Sequence, residues 1–275
     1  MNMDLLKVSE EVGNLVKARK MIYFVDSEQI TKTLVNGGND ARMIASSRRD
    51  ILKLVDNSSQ LFVPEVTPTN PTKYAVMKCL DRKLVNVGDT VVCVLKRFCP
   101  LDTIYIVPVE ESLQSDLSFF REVGMDVLET VLRIAVELGR EGKEGLPVGT
   151  AFIVGDPKRV LKNSHQMILN PFKGHPRNSR NVLNLDIKEV VKSFSLLDGA
   201  FIISDKGQIE CAGRYLDVDA SDVEIPAGLG ARHAAVAGIT KVTRSVGVTV
   251  SKSGGIVRIF KGGKLLRGID PKSYA

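Results

Sequence analysis

Residues 231 to 243 read Ala-Arg-His-Ala-Ala-Val-Ala-Gly-Ile-Thr-Lys-Val-Thr. Ala234, Ala235, Val236, Ile239 and Val242 recur at helical spacing and are small, so a helix built from them must lie flat on a sheet. Short apolar strands are predicted on both sides of it. Ala200 to Ser204 and Gln208 to Ala212 flank the turn Asp205-Lys206-Gly207. Val246 to Val250 and Ile256 to Phe260 flank Ser251 to Gly255, and Lys261-Gly262-Gly263-Lys264 turns the chain into a last short strand, Leu265 to Arg267. Antiparallel hairpins around one flat helix predict an α+β domain, a mixed sheet flanked by helices, and not a doubly wound one.

The N-terminal part has a different rhythm, with helices and short apolar strands alternating over residues 1 to 112, which predicts an α/β domain. Leu5, Val8, Val12, Leu15 and Val16 share one face of a first helix over residues 4 to 18. Met21 to Val25 is a strand, and Ser27 to Asn36 a helix with Ser27 as N-cap and Gly37-Gly38 as stop. Asp40 to Val55 reads as a second helical stretch, Gln60 to Val63 as a strand, Lys73 to Arg82 as a helix, and Thr90 to Lys96 and Thr103 to Val107 as two further strands.

A boundary is placed near residue 113, giving a second domain over residues 113 to 275. From Ser115 one long amphipathic helix carries Phe120, Val123, Val127, Val131, Ile134 and Leu138 on its inner side. A strand at Ala151 to Val154, a helix at Val160 to Met167, a surface loop at Asn170 to Arg180 and a helix at Ile187 to Leu196 follow. His165 and His175 are read as loop or surface residues.

Composition narrows the function. A 44% hydrophobic and 25% charged chain is an ordinary globular one, not a disordered one. The net charge of +6 is spread along the whole length, without a basic block, and aromatics are 5% with no Trp. Basic residues therefore read as a solvated surface plus a phosphate-binding cleft, with nucleic acid not expected as a partner. Cys79, Cys93, Cys99 and Cys211 lack paired metal-binding spacing and do not cluster with His165, His175 or His233, so neither zinc nor a disulfide framework is expected. The start Met1-Asn2-Met3-Asp4 shows no secretion signal and no apolar run is long enough to span a bilayer, so a cytoplasmic location without a membrane partner is expected.

The chemistry concentrates between Leu196 and Phe260. Asp198-Gly199-Ala200 sets a carboxylate and a glycine immediately before an apolar strand. Leu229-Gly230-Ala231-Arg232-His233-Ala234-Ala235 sets a glycine, a guanidinium and an imidazole at the mouth of the alanine-rich helix. Helix N-termini and Arg both favour phosphate oxygens, and a nearby carboxylate can hold a metal, so the set suits a nucleotide triphosphate. Taken singly, Asp-Gly is a turn, Arg-His a surface pair and Ser251 to Gly255 a hairpin loop; their joint occurrence is what points to a site.

This combination resembles the diadenylate cyclase domain, which joins two ATP molecules into cyclic di-AMP. The likeness covers roughly residues 115 to 268, and with the α/β domain in front the chain is most similar to the archaeal type. The family motif usually reads Gly-Thr-Arg-His-Arg, whereas Ala231 stands here at the Thr and Ala234 at the second Arg. Lys252 and Arg244 are candidates to replace the missing charge. Thr69-Asn70-Pro71-Thr72 and Val87-Gly88-Asp89-Thr90-Val91-Val92 resemble the C-terminal domain of pyruvate kinases, which implies a scaffold or sensing role. A packing domain with no ligand accounts for the same residues equally well.

The resemblance implies ATP-binding residues Asp198, Gly199, Ala200, Leu229, Gly230, Ala231, Arg232, His233 and Ser251, with Asp198, Arg232 and His233 catalytic. Asp198 and His233 would bind Mn²⁺ or Mg²⁺. Each 3′-hydroxyl must attack the other nucleotide's α-phosphorus in line, so positioning and charge neutralisation dominate. Gly199 and Gly230 would let backbone approach the nucleotide, Arg232 would grip phosphate and Ser251 would donate hydrogen bonds to it. One domain holds one ATP, so a homodimer with facing sites is required, and higher assembly through the N-terminal domain is compatible with it. The competing reading is a non-catalytic adenine-nucleotide sensor.

Overall fold

The computed structural model describes residues 3–37, 41–95, 103–184, 186–219, 221, 223, 226 and 228–274. Met1, Asn2, Gly38, Asp40, Lys96 and Cys99, which figured in the expectations above, lie outside them. The chain forms two compact units, Met1–Ser118 and Phe119–Ala275.

The first unit runs α1 (Met3–Leu15), β1 (Lys20–Phe24), α2 (Glu28–Asn36), β2 (Arg42–Ser46), α3 (Arg49–Leu52), β3 (Gln60–Phe62), α4 (Pro71–Asp81), β4 (Thr90–Leu95) and β5 (Thr103–Pro108). Its sheet has the order β3-β2-β1-β4-β5. The β1, β2, β3 and β4 pairings are parallel and β5 is antiparallel to β4. Every residue of β1 and β4 after the first is buried, the continuous apolar run that a parallel strand covered on both faces requires. Asn70 caps α4 by accepting from Lys73 N at 2.7 Å, whereas Ser27 precedes α2 without a side-chain cap.

Residues 41 to 55 depart from the helix expected over Asp40 to Val55. Met43, Ile44 and Ala45 are buried in β2, and helix returns only over Arg49–Leu52. A three-residue apolar run satisfies helical and strand spacing alike, and the slot between β1 and β3 decides it.

The long helix expected from Ser115 is two helices, α5 (Glu111–Val123) and α6 (Met125–Glu141). Gly124 separates them with φ +89°, and a Cβ there would fall on the Asp205 carbonyl, so the break is set by close backbone approach. The rest of the second unit comprises β6 (Thr150–Val154), α7 (Pro157–Lys162), β7 (Ser164–Gln166), α8 (Ile187–Phe194), β8 (Ala200–Ile203), β9 (Ile209–Leu216), α9 (Ala231–Val242), β10 (Val246–Val250), β11 (Val257–Lys261) and β12 (Lys264–Ile269). The helix expected at residues 160 to 167 is thus a short α7 followed by strand β7, because Ser164, His165 and Gln166 pair with Leu216, Tyr215 and Arg214.

The mixed sheet expected for this unit is observed, in the order β12-β11-β10-β6-β8-β9-β7, with β6 and β8 parallel and the other pairings antiparallel. Val236, Ala237 and Ile239 of α9 pack on one face against Ala151, Ile153, Ala200 and Ile202. Small side chains let the helix lie close, as its composition requires. Phe152 and Phe201 point to the other face, where Phe201 meets Phe172 and Phe172 meets Phe194 of α8. The stretch from Asn170 to Arg180 is the expected surface loop, exposed over residues 173–179 and anchored to the unit near its two ends. Phe172 is buried, Asn170 Oδ1 accepts from Phe172 N at 3.0 Å and Arg180 Nη1 donates to Ile209 O at 2.6 Å.

The Gly124 contact gives a direct test. Gly124→Ala should lower the stability of the chain by about 1–3 kcal/mol, the usual size of a side chain forced to positive φ, measured by denaturant unfolding. Gly230→Ala, at φ −74° with open space where its Cβ would go, should change it by less.

Candidate nucleotide site

Asp198 stands at the entrance to β8 and Arg232 in the first turn of α9. Arg232 joins the two elements, because its Nη1 donates to the Gly149 carbonyl just before β6 and its Nη2 to Asp198 Oδ1 at 3.3 Å. The Asp198 side chain is 81% exposed, and among the described residues its second oxygen makes no hydrogen bond. Gly199 has φ +99°, and backbone atoms of Gly213 and Arg214 in β9 occupy the place of a Cβ. The observed need for glycine here is internal packing against β9. At Gly230, by contrast, a Cβ would meet nothing within 4 Å.

A cavity of about 220 Å³ opens between α9 and the sheet. Asp198, Gly199 and Ala200 line it together with Ala231 and Arg232, which joins five of the expected residues in one place. Met167, Tyr215, Leu216, Ala235 and Val236 supply an apolar wall. Leu229, Gly230, His233 and Ser251 do not line it.

His233 turns inward and is 8% exposed. Its Nε2 lies 3.5 Å from Arg258 Nη1, and its ring meets the Phe260 ring edge-on, with centroids 6.3 Å apart. Burial, then the positive charges of Arg258 and Arg232, hold its pKa below the ordinary imidazole value, while the Gly230 carbonyl opposes this weakly. Nδ1 makes no hydrogen bond of ordinary geometry. The expected metal-ligand role of His233 does not fit this arrangement: one nitrogen faces a guanidinium and the other is buried. Among the described residues no three His, Cys, Asp or Glu side chains converge as a metal cluster. Of the two expected ligands, Asp198 keeps an exposed carboxylate oxygen suited to a hard cation shared with phosphate.

Ser251 belongs to a second depression of about 320 Å³, lined by Arg140, Lys252, Ser253 and Lys272 among others. Ser251 N donates to Ile256 O at 3.0 Å and Gly255 N to Ser251 O at 2.9 Å, which closes the turn. Gly149 lies between this depression and Arg232: a Cβ on it would sit 3.0 Å from both Arg232 Nη1 and Lys252 Cβ. Of the two candidates for replacement charge, Arg244 is held by Glu122 at 2.7 Å, with its backbone N on Asp156 at 3.0 Å, whereas Lys252 has no ion pair among the described residues.

Sequence reading missed Arg214, Tyr215 and Leu216, because it ended that strand at Ala212. The signal available was the continuing apolar and aromatic run past Gly213. Arg258 carried no local signal, since it reaches His233 only through the placement of β11 beside α9.

Comparison with known proteins identifies the family. A family model described as DisA bacterial checkpoint controller nucleotide-binding (DAC) matches residues 138–265. A diadenylate cyclase of Haloferax volcanii is 41% identical over 207 residues, covering 74% of this chain and 76% of that protein. The chain belongs to the diadenylate cyclase family. A diadenylate cyclase of Methanocaldococcus jannaschii is 40% identical over 206 residues, 72% of this chain, and the chain spans 65% of that relative's length. A crystal structure of a double mutant of DacA from Staphylococcus aureus matches with a TM-score of 0.39 and 21% identity, over 54% of this chain and 90% of that one. No helix among the described residues is long and apolar enough to cross a membrane.

The His233 environment is open to titration. Arg258→Gln should raise the His233 pKa towards, but not to, its ordinary 6.5, because burial remains. The shift is read from the imidazole proton resonances against pH. With its folded value depressed, the folded chain takes up this proton less readily than the unfolded chain. The stability tied to neutral His233 is therefore full above pH 6.5 and lost as pH falls below it.

Proposed function

We propose that the chain condenses two ATP molecules into cyclic di-AMP and two pyrophosphates, and that the contact between Asp198 and Arg232 at the cavity mouth carries this reading. A cavity of about 220 Å³ is smaller than the ~300–1,000 Å³ typical of pockets that enclose a whole ligand. It suits adenine and ribose, with Met167, Tyr215 and Leu216 against the base. The phosphates then run outward over Arg232 and past Gly149 towards Lys252 and Ser251.

In the reaction each 3′-oxygen forms a bond to the α-phosphorus of the facing nucleotide, and the bond from that phosphorus to the pyrophosphate oxygen breaks. Asp198 accepts the hydrogen bond of the attacking hydroxyl and takes its proton. Arg232 grips phosphate oxygens through two parallel hydrogen bonds. Neutral, buried His233 supports the helix mouth from behind, and Arg258 beside it adds positive potential where Ala234 supplies none. A Mg²⁺ or Mn²⁺ held by Asp198 and phosphate oxygens would supply charge neutralisation on the leaving pyrophosphate. One cavity takes one nucleotide, so two copies must face each other for ring closure, and the productive species is a homodimer. The first unit would serve this assembly as scaffold or sensor.

Incubation of the purified protein with ATP and Mg²⁺ or Mn²⁺, with products resolved by mass, should yield cyclic di-AMP. Asp198→Asn should lower turnover by about 10²-fold or more, the usual contribution of a positioned acid or base. Specific activity should fall on dilution as facing pairs separate. ATP binding without any cyclic dinucleotide would leave the chain a nucleotide sensor, the reading favoured by the missing side-chain hydroxyl at Ala231.

A further inference from the structure

Beside the cavity stands a cluster that the reaction does not use. His165 of β7 and Tyr215 of β9 are paired directly across the two strands, so their side chains share one face. Their ring centroids are 5.2 Å apart, with the planes tilted by 30°. His165 Nδ1 lies 2.8 Å from both carboxylate oxygens of Asp217, which follows Tyr215 by two positions and projects to the same side. Asp217 N in turn donates to Asn163 O at 2.9 Å. β7 is a three-residue edge strand, and Arg214 pins it: Nη2 donates to Leu161 O at 2.9 Å and Nε to Ser164 Oγ at 3.1 Å.

We propose that His165, held by Asp217, is a positioning residue that backs the Tyr215 ring and fixes it as a wall of the nucleotide cavity. The inference rests on the reading of that cavity as the base-binding end of the site. Tyr215 is half exposed at the rim. A rim tyrosine without a backing group samples several rotamers and must be ordered at each binding event. A ring already stacked on an imidazole, itself fixed by both oxygens of one carboxylate, is ordered beforehand. The cluster touches neither phosphate nor the attacking hydroxyl, so its loss acts on binding and leaves the chemical step in place.

Steady-state kinetics on the full chain test this, with direct ATP titration by calorimetry as a second readout. His165→Ala and Asp217→Asn should each raise KM and the ATP dissociation constant by about two- to tenfold, the effect of ordering one side chain. In both, kcat should stay within about twofold of the unaltered chain. His165→Phe, which keeps a ring behind Tyr215 but loses the Asp217 bond, should fall between His165→Ala and the unaltered chain. In a Tyr215→Ala background, His165→Ala should add nothing further. All these side chains are at the surface, and thermal unfolding checks that each variant is folded. Unchanged ATP affinity in both single variants, or a His165→Ala effect that persists without Tyr215, would overturn the proposal. Should the unaltered chain itself fail to bind ATP, the reading of the cavity falls. If it binds while the variants match it, only the role of His165 falls.

Discussion

The site depends on how closely the entrance of β8 can lie against β9. Gly199 touches the backbone of Gly213 and Arg214, and that contact places Asp198 at the cavity mouth while β9 carries Arg214 and Tyr215 along the adjoining wall. A side chain at Gly199 would push the strands apart and move the carboxylate from Arg232. The same principle operates on the other side of the cavity, where the small residues of α9 let the helix settle on Ala151 and Ala200. Close approach of backbone, more than any single polar bond, brings a carboxylate, a guanidinium and an apolar wall into one small volume.

Electrostatics then divides the helix mouth into a wet side and a dry side. Arg232 and Asp198 face outward and are available to a ligand. His233, the next residue along, turns into the core and lies beside Arg258, so the adjacent Arg and His point in different directions from one helical turn. Burial and positive neighbours hold the imidazole pKa below its ordinary value, and the nearby Arg258 guanidinium makes its Nε2 a poor place for a cation.

Much of this was legible in the amino-acid order. Short apolar runs marked β1, β4 and β6, turn residues marked the hairpins, and Asp198-Gly199-Ala200 and Ala231-Arg232 marked residues that line one cavity, whereas His233 and Ser251 do not line it. The errors have physical sources. Met43 to Ala45 satisfy helix and strand alike until neighbouring strands exist. Gly124 ends a helix whose apolar periodicity runs straight through it, because the constraint comes from the Asp205 carbonyl far along the chain. The inward turn of His233 depends on Arg258 and Phe260, which only sheet assembly brings near it. His165 acquired its partners in the same way, when the end of an expected helix became strand β7.

The bridge from Arg232 to Asp198 has one more implication. The Arg232 guanidinium is partly neutralised by a solvent-exposed carboxylate, so a phosphate approaching it competes with an internal anion. An exposed ion pair is weak, about 1 kcal/mol or less, and cheap to break. A ligand oxygen that takes the Arg232 Nη2 hydrogen would release Asp198 Oδ1, leaving both carboxylate oxygens open to solvent.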